Sequence, residues 1–184
     1  DDKTEYYRIM PKDMSSKDGI LNISKLDNMS ESNYNDMKET RIQKNDILMS
    51  VFGAGAIGRI VLNKDNINAV PVNNIVATIR ANEEIHYKFL FYYLYSFLGQ
   101  QQILKCITGT TGQISLSIPR VKKILVPILD KEKQQEIIDK IENYGSPFEL
   151  DLQIKQLQSI IDDDLNKYIL NGYSDDLFEM PIGE

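Results

Sequence analysis

Three glycines at one spacing carry the most pointed chemical suggestion in the sequence. Gly53-x-Gly55-x-x-Gly58 follows a strand-like apolar run within residues 46–62, DILMSVFGAGAIGRIVL. That spacing is the dinucleotide-binding fingerprint. There, a following helix offers its N-terminal amides to a pyrophosphate, and an acid about 20 residues on holds the ribose. Neither companion is present. Arg59-Ile60-Val61-Leu62 is short and β-branched, and Asn63-Lys64-Asp65-Asn66-Ile67-Asn68 breaks it as a turn would. No Asp or Glu lies between Asp65 and Glu83. The phosphate-loop pattern fails as well, because Arg59-Ile60 stands where Lys-Ser/Thr is required. The run reads instead as two strands joined by a tight glycine turn, since glycine accepts the positive φ angles such turns need. An oxidoreductase built on this turn predicts that NAD(H) raises the melting temperature; no shift at saturating cofactor removes it.

Other reactive side chains are sparse. His86 is the single histidine, placed near the start of an expected helix with no paired nucleophile, so a surface role is favoured over catalysis. One cysteine, Cys106, and one histidine cannot supply zinc's usual ligands, so no metal residue is assigned. There is no Asn-Pro-Pro-Tyr-like methyltransferase phrase and no acidic trio at nuclease spacing. No catalytic residue is assigned, and the chain by itself is expected not to be an enzyme.

The elements around these residues read as α+β. Tyr6-Tyr7-Arg8-Ile9-Met10 is a strand candidate closed by Pro11, and Lys17-Asp18-Gly19 is a turn signal. A short amphipathic piece is expected from Asn35 towards Arg41. Ala69-Val70-Pro71-Val72 and the run from Ile75 to Arg80 are further strand material. Asn82 is the expected cap of a helix with Glu83 and Glu84 in its first turn, where the helix dipole favours acids. Phe89, Leu90, Tyr93, Leu94, Phe97 and Leu98 recur at helical spacing and should face a core, with Gly99 ending the helix. A short second helix should follow. Thr108-Gly109-Thr110-Thr111-Gly112-Gln113 is then a polar loop, and residues 114–119 alternate like a strand.

From Asp130 the pattern becomes helical. Ser146, Pro147 and Glu149 form a capping box for a helix running to about Leu170. Leu150, Ile154, Leu157, Ile161, Leu165 and Tyr168 make one apolar seam along it, which wants a partner helix. These shifts divide the chain into residues 1–129, a helical, coiled-coil-like appendage at 130–172, and an acidic tail at 173–184.

The 42% hydrophobic content supports a core, and no run of 18 apolar residues is present to span a membrane. A lone cysteine forms no intrachain disulfide, which fits a reducing cytoplasm. Asp1-Asp2-Lys3 has neither an initiator methionine nor a signal-like stretch, so a piece of a longer protein is expected. The net charge of −6 speaks against a polyanionic partner, but its distribution speaks for one. Residues 130–184 carry 14 acids and 5 bases, whereas residues 41–129 carry 10 bases and 4 acids. Steering depends on local potential, so such a body can bind nucleic acid; the same lysines and arginines could equally solvate a surface.

Several phrases then fall in a telling order. They are Asn45-Asp46-Ile47-Leu48-Met49-Ser50 before the glycine turn, Arg80 closing a strand, and an aromatic helix ending in Tyr95-Ser96. The loop Thr108 to Gln113 leads into Ile114-Ser115-Leu116, and Lys123-Ile124-Leu125-Val126-Pro127 precedes Lys133-Gln134-Gln135-Glu136-Ile137-Ile138. Over roughly residues 5–170 this succession resembles the target recognition domain and following helix of the specificity subunit of prokaryotic type I DNA restriction–modification systems. The resemblance implies a mixed α/β DNA-reading domain that contacts half of a split double-stranded target. It also implies helices that hold two such domains at a fixed separation and dock modification and restriction subunits. S-adenosylmethionine would then be bound only by the methyltransferase partner, with no cofactor on this chain. The sequence departs from the usual plan in having one recognition domain, and in the break at Gly145-Ser146-Pro147. A half subunit pairing with a second copy, an excised portion, and the recognition end of a fused methyltransferase or restriction enzyme are all compatible with it. About 24 residues from Pro147 to Leu170 would span roughly 36 Å, near one turn of duplex.

Within that frame, Arg59, Thr108, Gly109, Thr110, Thr111, Gly112, Gln113, Arg120, Lys122 and Lys123 are the candidate DNA contacts. Hydroxyls and loop amides can reach phosphates, Gln113 can pair with an adenine edge, and Arg or Lys can read guanine or bind phosphate. The loop could also be a connection with no ligand, and the basic trio a solvated edge. The seam from Leu150 to Tyr168 is the candidate interface. A rival reading is a helical interaction scaffold with an inert body, which predicts self-association without DNA binding.

Overall fold

A computed structural model describes residues 5–14, 19–53, 55–109 and 114–143. The chain divides into two compact units, Asp1–Pro147 and Phe148–Glu184, and every described residue belongs to the first. The seam from Leu150 to Tyr168 and the acidic tail lie outside the described residues.

The described part is α+β. Strands β1 (Tyr6–Ile9), β2 (Asp27–Asn28) and β5 (Asn68–Pro71) form one sheet in the order β2-β1-β5, antiparallel then parallel. Strands β3 (Ile47–Ser50), β4 (Ile60–Leu62) and β6 (Val76–Ile79) form a second, antiparallel sheet in the order β4-β3-β6. A two-stranded ladder joins β7 (Ile107–Thr108) to β8 (Ser115–Leu116). The helices are α1 (Glu31–Asp36), α2 (Tyr87–Tyr95), α3 (Phe97–Lys105), α4 (Ile118–Val121) and α5 (Lys131–Asn143). None of the described helices is long and apolar enough to cross a membrane.

Strand β3 is the axis of the domain. All four of its residues are buried, as a strand covered on both faces requires; Ile47, Leu48 and Met49 are accordingly apolar, and the Ser50 hydroxyl donates to the Phe52 carbonyl. Leu48 joins Ile9, Met14, Leu21, Ile42, Val61, Ala69 and Val76 in the core between the sheets. Each buried Val, Leu, Ile or Met side chain among them contributes about 1.5–3 kcal/mol. Helix α2 packs against β4 and buries Phe89, Leu90, Phe91, Tyr93 and Leu94.

Four local expectations are revised. Helix α1 begins at Glu31, earlier than the piece expected from Asn35, because the Ser30 hydroxyl accepts the Asn33 N–H. Asn82 makes a turn by accepting the Glu84 N–H, and α2 starts five residues later with His86 as its cap. Gly99 does not end that helix: Ser96 closes α2 and opens α3, and Gly99 lies inside α3. Residues 114–119 are not one strand, since β8 is two residues long and Pro119 sits in the first turn of α4.

Helix α5, in the stretch assigned to the appendage, lies against α2. Asp130 caps it by accepting the Lys133 N–H. Gln134 is fully buried; its Oε1 accepts the His86 N–H at 2.7 Å, and its amide donates to the carbonyls of Glu84 and Leu129. Farther along, Glu142 accepts from Lys88 and from the Tyr92 hydroxyl.

His86 is thereby placed at the α2–α5 junction, where its Nδ1 accepts the Lys88 N–H. Burial first, then Lys88 and Lys131, holds its pKa below the ordinary value of about 6.5, with Glu142 opposing. The unfolded chain therefore takes up the proton first on acidification, and stability drains away as pH falls below about 6.5. His86→Asn keeps a capping acceptor without the titration. In urea melts at pH 7.5 and 5.5 the wild type should lose more stability than the variant; equal losses would refute a neutral, part-buried imidazole.

Candidate nucleic-acid interface

The glycine turn forms one end of the β4-β3-β6 sheet. Residues 51–59 connect β3 to β4, a longer link than the tight turn expected from sequence. The Ser50 N–H donates to the Arg59 carbonyl and the Gly58 N–H to the Ser50 carbonyl, which prolongs the ladder past β3. Gly53 and Gly55 hold φ of +105° and +77°, and a Cβ built on either would meet nothing within 4 Å, so open backbone faces outward there. The segment after Gly58 is strand β4 rather than a helix, which removes the pyrophosphate cradle a dinucleotide would need.

Arg59 secures this turn from within. Its Nη1 donates to the carbonyls of Pro11 and Met14 and its Nη2 to that of Gly55, all at 3.1 Å. The guanidinium thus gives hydrogen bonds to three main-chain oxygens and ties the turn to residues 11–14. Arg59→Ala should cost about 1–3 kcal/mol in a urea melt. Arg59→Lys should recover little, because an ammonium lacks the planar fork that spans several acceptors. Full recovery by lysine would refute the latch.

The Thr108–Gln113 loop is carried by the β7–β8 ladder. Thr108 Oγ1 donates to the Ser115 carbonyl at 3.3 Å, and Gly109 is exposed at φ +104°. Thr110, Thr111, Gly112 and Gln113 lie outside the described residues. The ladder is fastened to the glycine turn: Leu116 N–H donates to the Val51 carbonyl at 2.8 Å, and Phe52 bridges Ser115. Two loops 55 residues apart in sequence, counting from Gly53 to Thr108, are therefore neighbours at one edge.

Helix α4 follows directly. The Ser117 N–H donates to the Cys106 carbonyl, which seats α4 at the end of α3. Arg120, Lys122 and Lys123 are exposed and make no ion pair among the described residues. Cys106 is buried, donates its thiol to the Gln102 carbonyl, and has its pKa pushed up by burial, so it is not a reactive thiolate. Two side chains at this edge were not singled out from the sequence. Phe52 is 43% exposed beside the glycine turn and Ile118 39% exposed at the start of α4. Exposed apolar groups among cations are what base methyls and ribose faces would meet. Phe52 is hidden in an apolar run, where only the fold separates it from its buried neighbours.

Residues 3–159 match the family described as the type I restriction modification DNA specificity domain. The chain belongs to this family. It is 28% identical over 125 residues to the specificity subunit of the type I restriction enzyme EcoBI of Escherichia coli, a match covering 68% of this chain and 26% of that protein. In fold it is similar to the crystal structure of the HsdS subunit from Thermoanaerobacter tengcongensis, with a TM-score of 0.59 and 16% identity. That similarity covers 97% of this chain and 45% of the other. The specificity domain described here thus spans about a quarter of the curated relative and just under half of the solved one. Its family is one of DNA specificity rather than of catalysis.

Proposed function

We propose that this specificity domain reads one half of a split double-stranded DNA target through the edge formed by residues 51–59, the β7–β8 hairpin and α4. The family match across residues 3–159 is the observation that carries the reading. Thr108 to Gln113 would approach base edges, Phe52 and Ile118 would add apolar contact, and Arg120, Lys122 and Lys123 would hold phosphates. Arg59 acts from behind by fixing the glycine turn. The helical seam at Leu150, Ile154, Leu157, Ile161, Leu165 and Tyr168 would pair with a second recognition domain. Methyltransferase and restriction subunits dock on the assembly in the cytoplasm, and the methyltransferase, not this chain, holds S-adenosylmethionine.

Selection from a random duplex pool, with protein co-purified with its methyltransferase subunit, tests this. Enrichment of one short motif, or of two half-motifs at a fixed separation, is expected. A half-site engaging about four phosphates should give a slope of log K against log salt near −3.6. No enrichment together with no salt-dependent binding would overturn the reading.

A further inference from the structure

A second basic feature lies at the opposite end of β3 from the glycine turn. There a cleft of about 480 Å³ is lined by Lys38, Arg41, Lys44, Asn66, Asn68 and Arg80, among others. Glu39 is the acid in its wall. Lys38 and Lys44 are exposed and have no hydrogen-bond or ion-pair partner among the described residues. Arg41 is held rigidly over the Tyr34 ring, 4.0 Å from its centroid, with Nη2 on the Tyr34 carbonyl and on Asn35 Oδ1. Its Nε is buried with no hydrogen-bond partner. Arg80 spends Nε and Nη2 on Asp46 and keeps its side chain half exposed. Beyond the Arg80–Asp46 pair, three cations therefore line a polar cleft against one carboxylate, Arg41 held in place and Lys38 and Lys44 exposed.

A surplus of unpaired cations around a concavity stores electrostatic repulsion that an anion relieves, and walls of low dielectric focus the field inside it. We propose that this cleft is a phosphate site that takes a backbone phosphate of the duplex whose bases are read at the far end of β3. The proposal rests on the DNA-reading assignment above for the identity of the phosphate. Five residue steps along β3, from Asp46 to Val51, put the two features about 17 Å apart at roughly 3.3 Å per residue. A major groove is about 12 Å wide, so loops entering it would leave the cleft over the bounding backbone. Such a contact fixes register and angle and carries no base information.

The test pairs Lys38→Ala/Lys44→Ala with Lys25→Ala/Lys140→Ala, which removes the same charge elsewhere. Binding is measured against salt on a duplex bearing the selected motif. The cleft variant should lose about 1.8 from the salt slope, about 0.9 per contact, with its base preference unchanged, while the control keeps the wild-type slope. An unchanged slope, or an equal loss in the control, overturns the proposal. Inorganic pyrophosphate titrated into the wild type, followed by amide shifts of Gln43, Lys44 and Asn68, reads the cleft without DNA. Saturating shifts that vanish in the cleft variant support a phosphate site. If the wild type binds no duplex yet pyrophosphate still saturates the cleft, the DNA reading has failed and the site takes a free phosphorylated ligand. Absence of both responses removes the site altogether.

Discussion

Gly99→Ala should destabilise the domain by about 3 kcal/mol or more, the upper end of what a single added methyl does in a packed site. A Cβ at Gly99 would lie 2.2 Å from the Tyr93 carbonyl oxygen and 2.6 and 2.8 Å from Leu94 Cα and carbonyl carbon. All three atoms are backbone, so no side chain can swing aside. The crowding follows from how the α2–α3 corner is made. Ser96 closes α2 by donating its N–H to the Tyr92 and Tyr93 carbonyls, and its Oγ accepts the Gly99 N–H at 3.3 Å. The same Oγ donates to the Tyr93 carbonyl at 2.6 Å, so one serine folds the chain back on itself within three residues. Gly53→Ala is the contrast, since space is open there and only φ of +105° opposes a side chain; about 1 kcal/mol is expected. In urea titrations Gly99→Ala should shift the midpoint well beyond Gly53→Ala. Equal shifts would mean the corner relaxes and the close approach is not rigid.

That corner also shows where sequence reading loses its grip. A glycine after an aromatic helical run looks like a terminator, because its permissive backbone is a local property. Its actual role is to admit a carbonyl six residues away, which is a packing property with no local signature. The start of α2 is a similar case. Asn82 with Glu83 and Glu84 is a good local cap, yet the helix waits for His86, whose N–H is claimed by Gln134 from 48 residues downstream. Strands fared better because β4 and β6 are marked by β-branched runs between turn residues, and the apolar Ile47-Leu48-Met49 of β3 is buried on both faces. The parallel pairing of β1 with β5 left no trace in either segment. At the edge proposed to read DNA, glycine spacing and hydroxyl-rich composition located the two loops, but not that Phe52 and Ser115 join them. The bonds from Arg59 to Pro11 and Met14 were equally invisible, since those acceptors are separated from it by 48 and 45 residues.

Removing Arg80 should be more damaging than removing its partner, and removing both should be milder than removing Arg80 alone. Asp46 has a side chain 1% exposed and Arg80 one 50% exposed, so the pair is buried on one side only. Arg80 donates Nε to Oδ1 and Nη2 to Oδ2, each at 2.7 Å, and the Gln43 N–H donates to Oδ2 at 2.7 Å. Arg80→Ala strands a carboxylate in the interior. A fully buried pair broken this way loses about 3–5 kcal/mol, and the solvent that screens Arg80 trims the expectation here to about 3 kcal/mol. Asp46→Ala removes the charge itself, leaving an unpaired Gln43 N–H and an arginine that water can serve, for about 1–2 kcal/mol. The double variant should then sit close to Asp46→Ala, a strongly non-additive cycle. Additive losses would mean that the arginine stabilises through packing of its stem rather than by neutralising Asp46. The pair joins the first residue before β3 to the first after β6, so it sets the alignment of the strands whose other ends support the glycine turn. Arg80→Ala protein that still folds should therefore bind its DNA motif more weakly, through a displaced edge as well as through the cation it takes from the cleft wall.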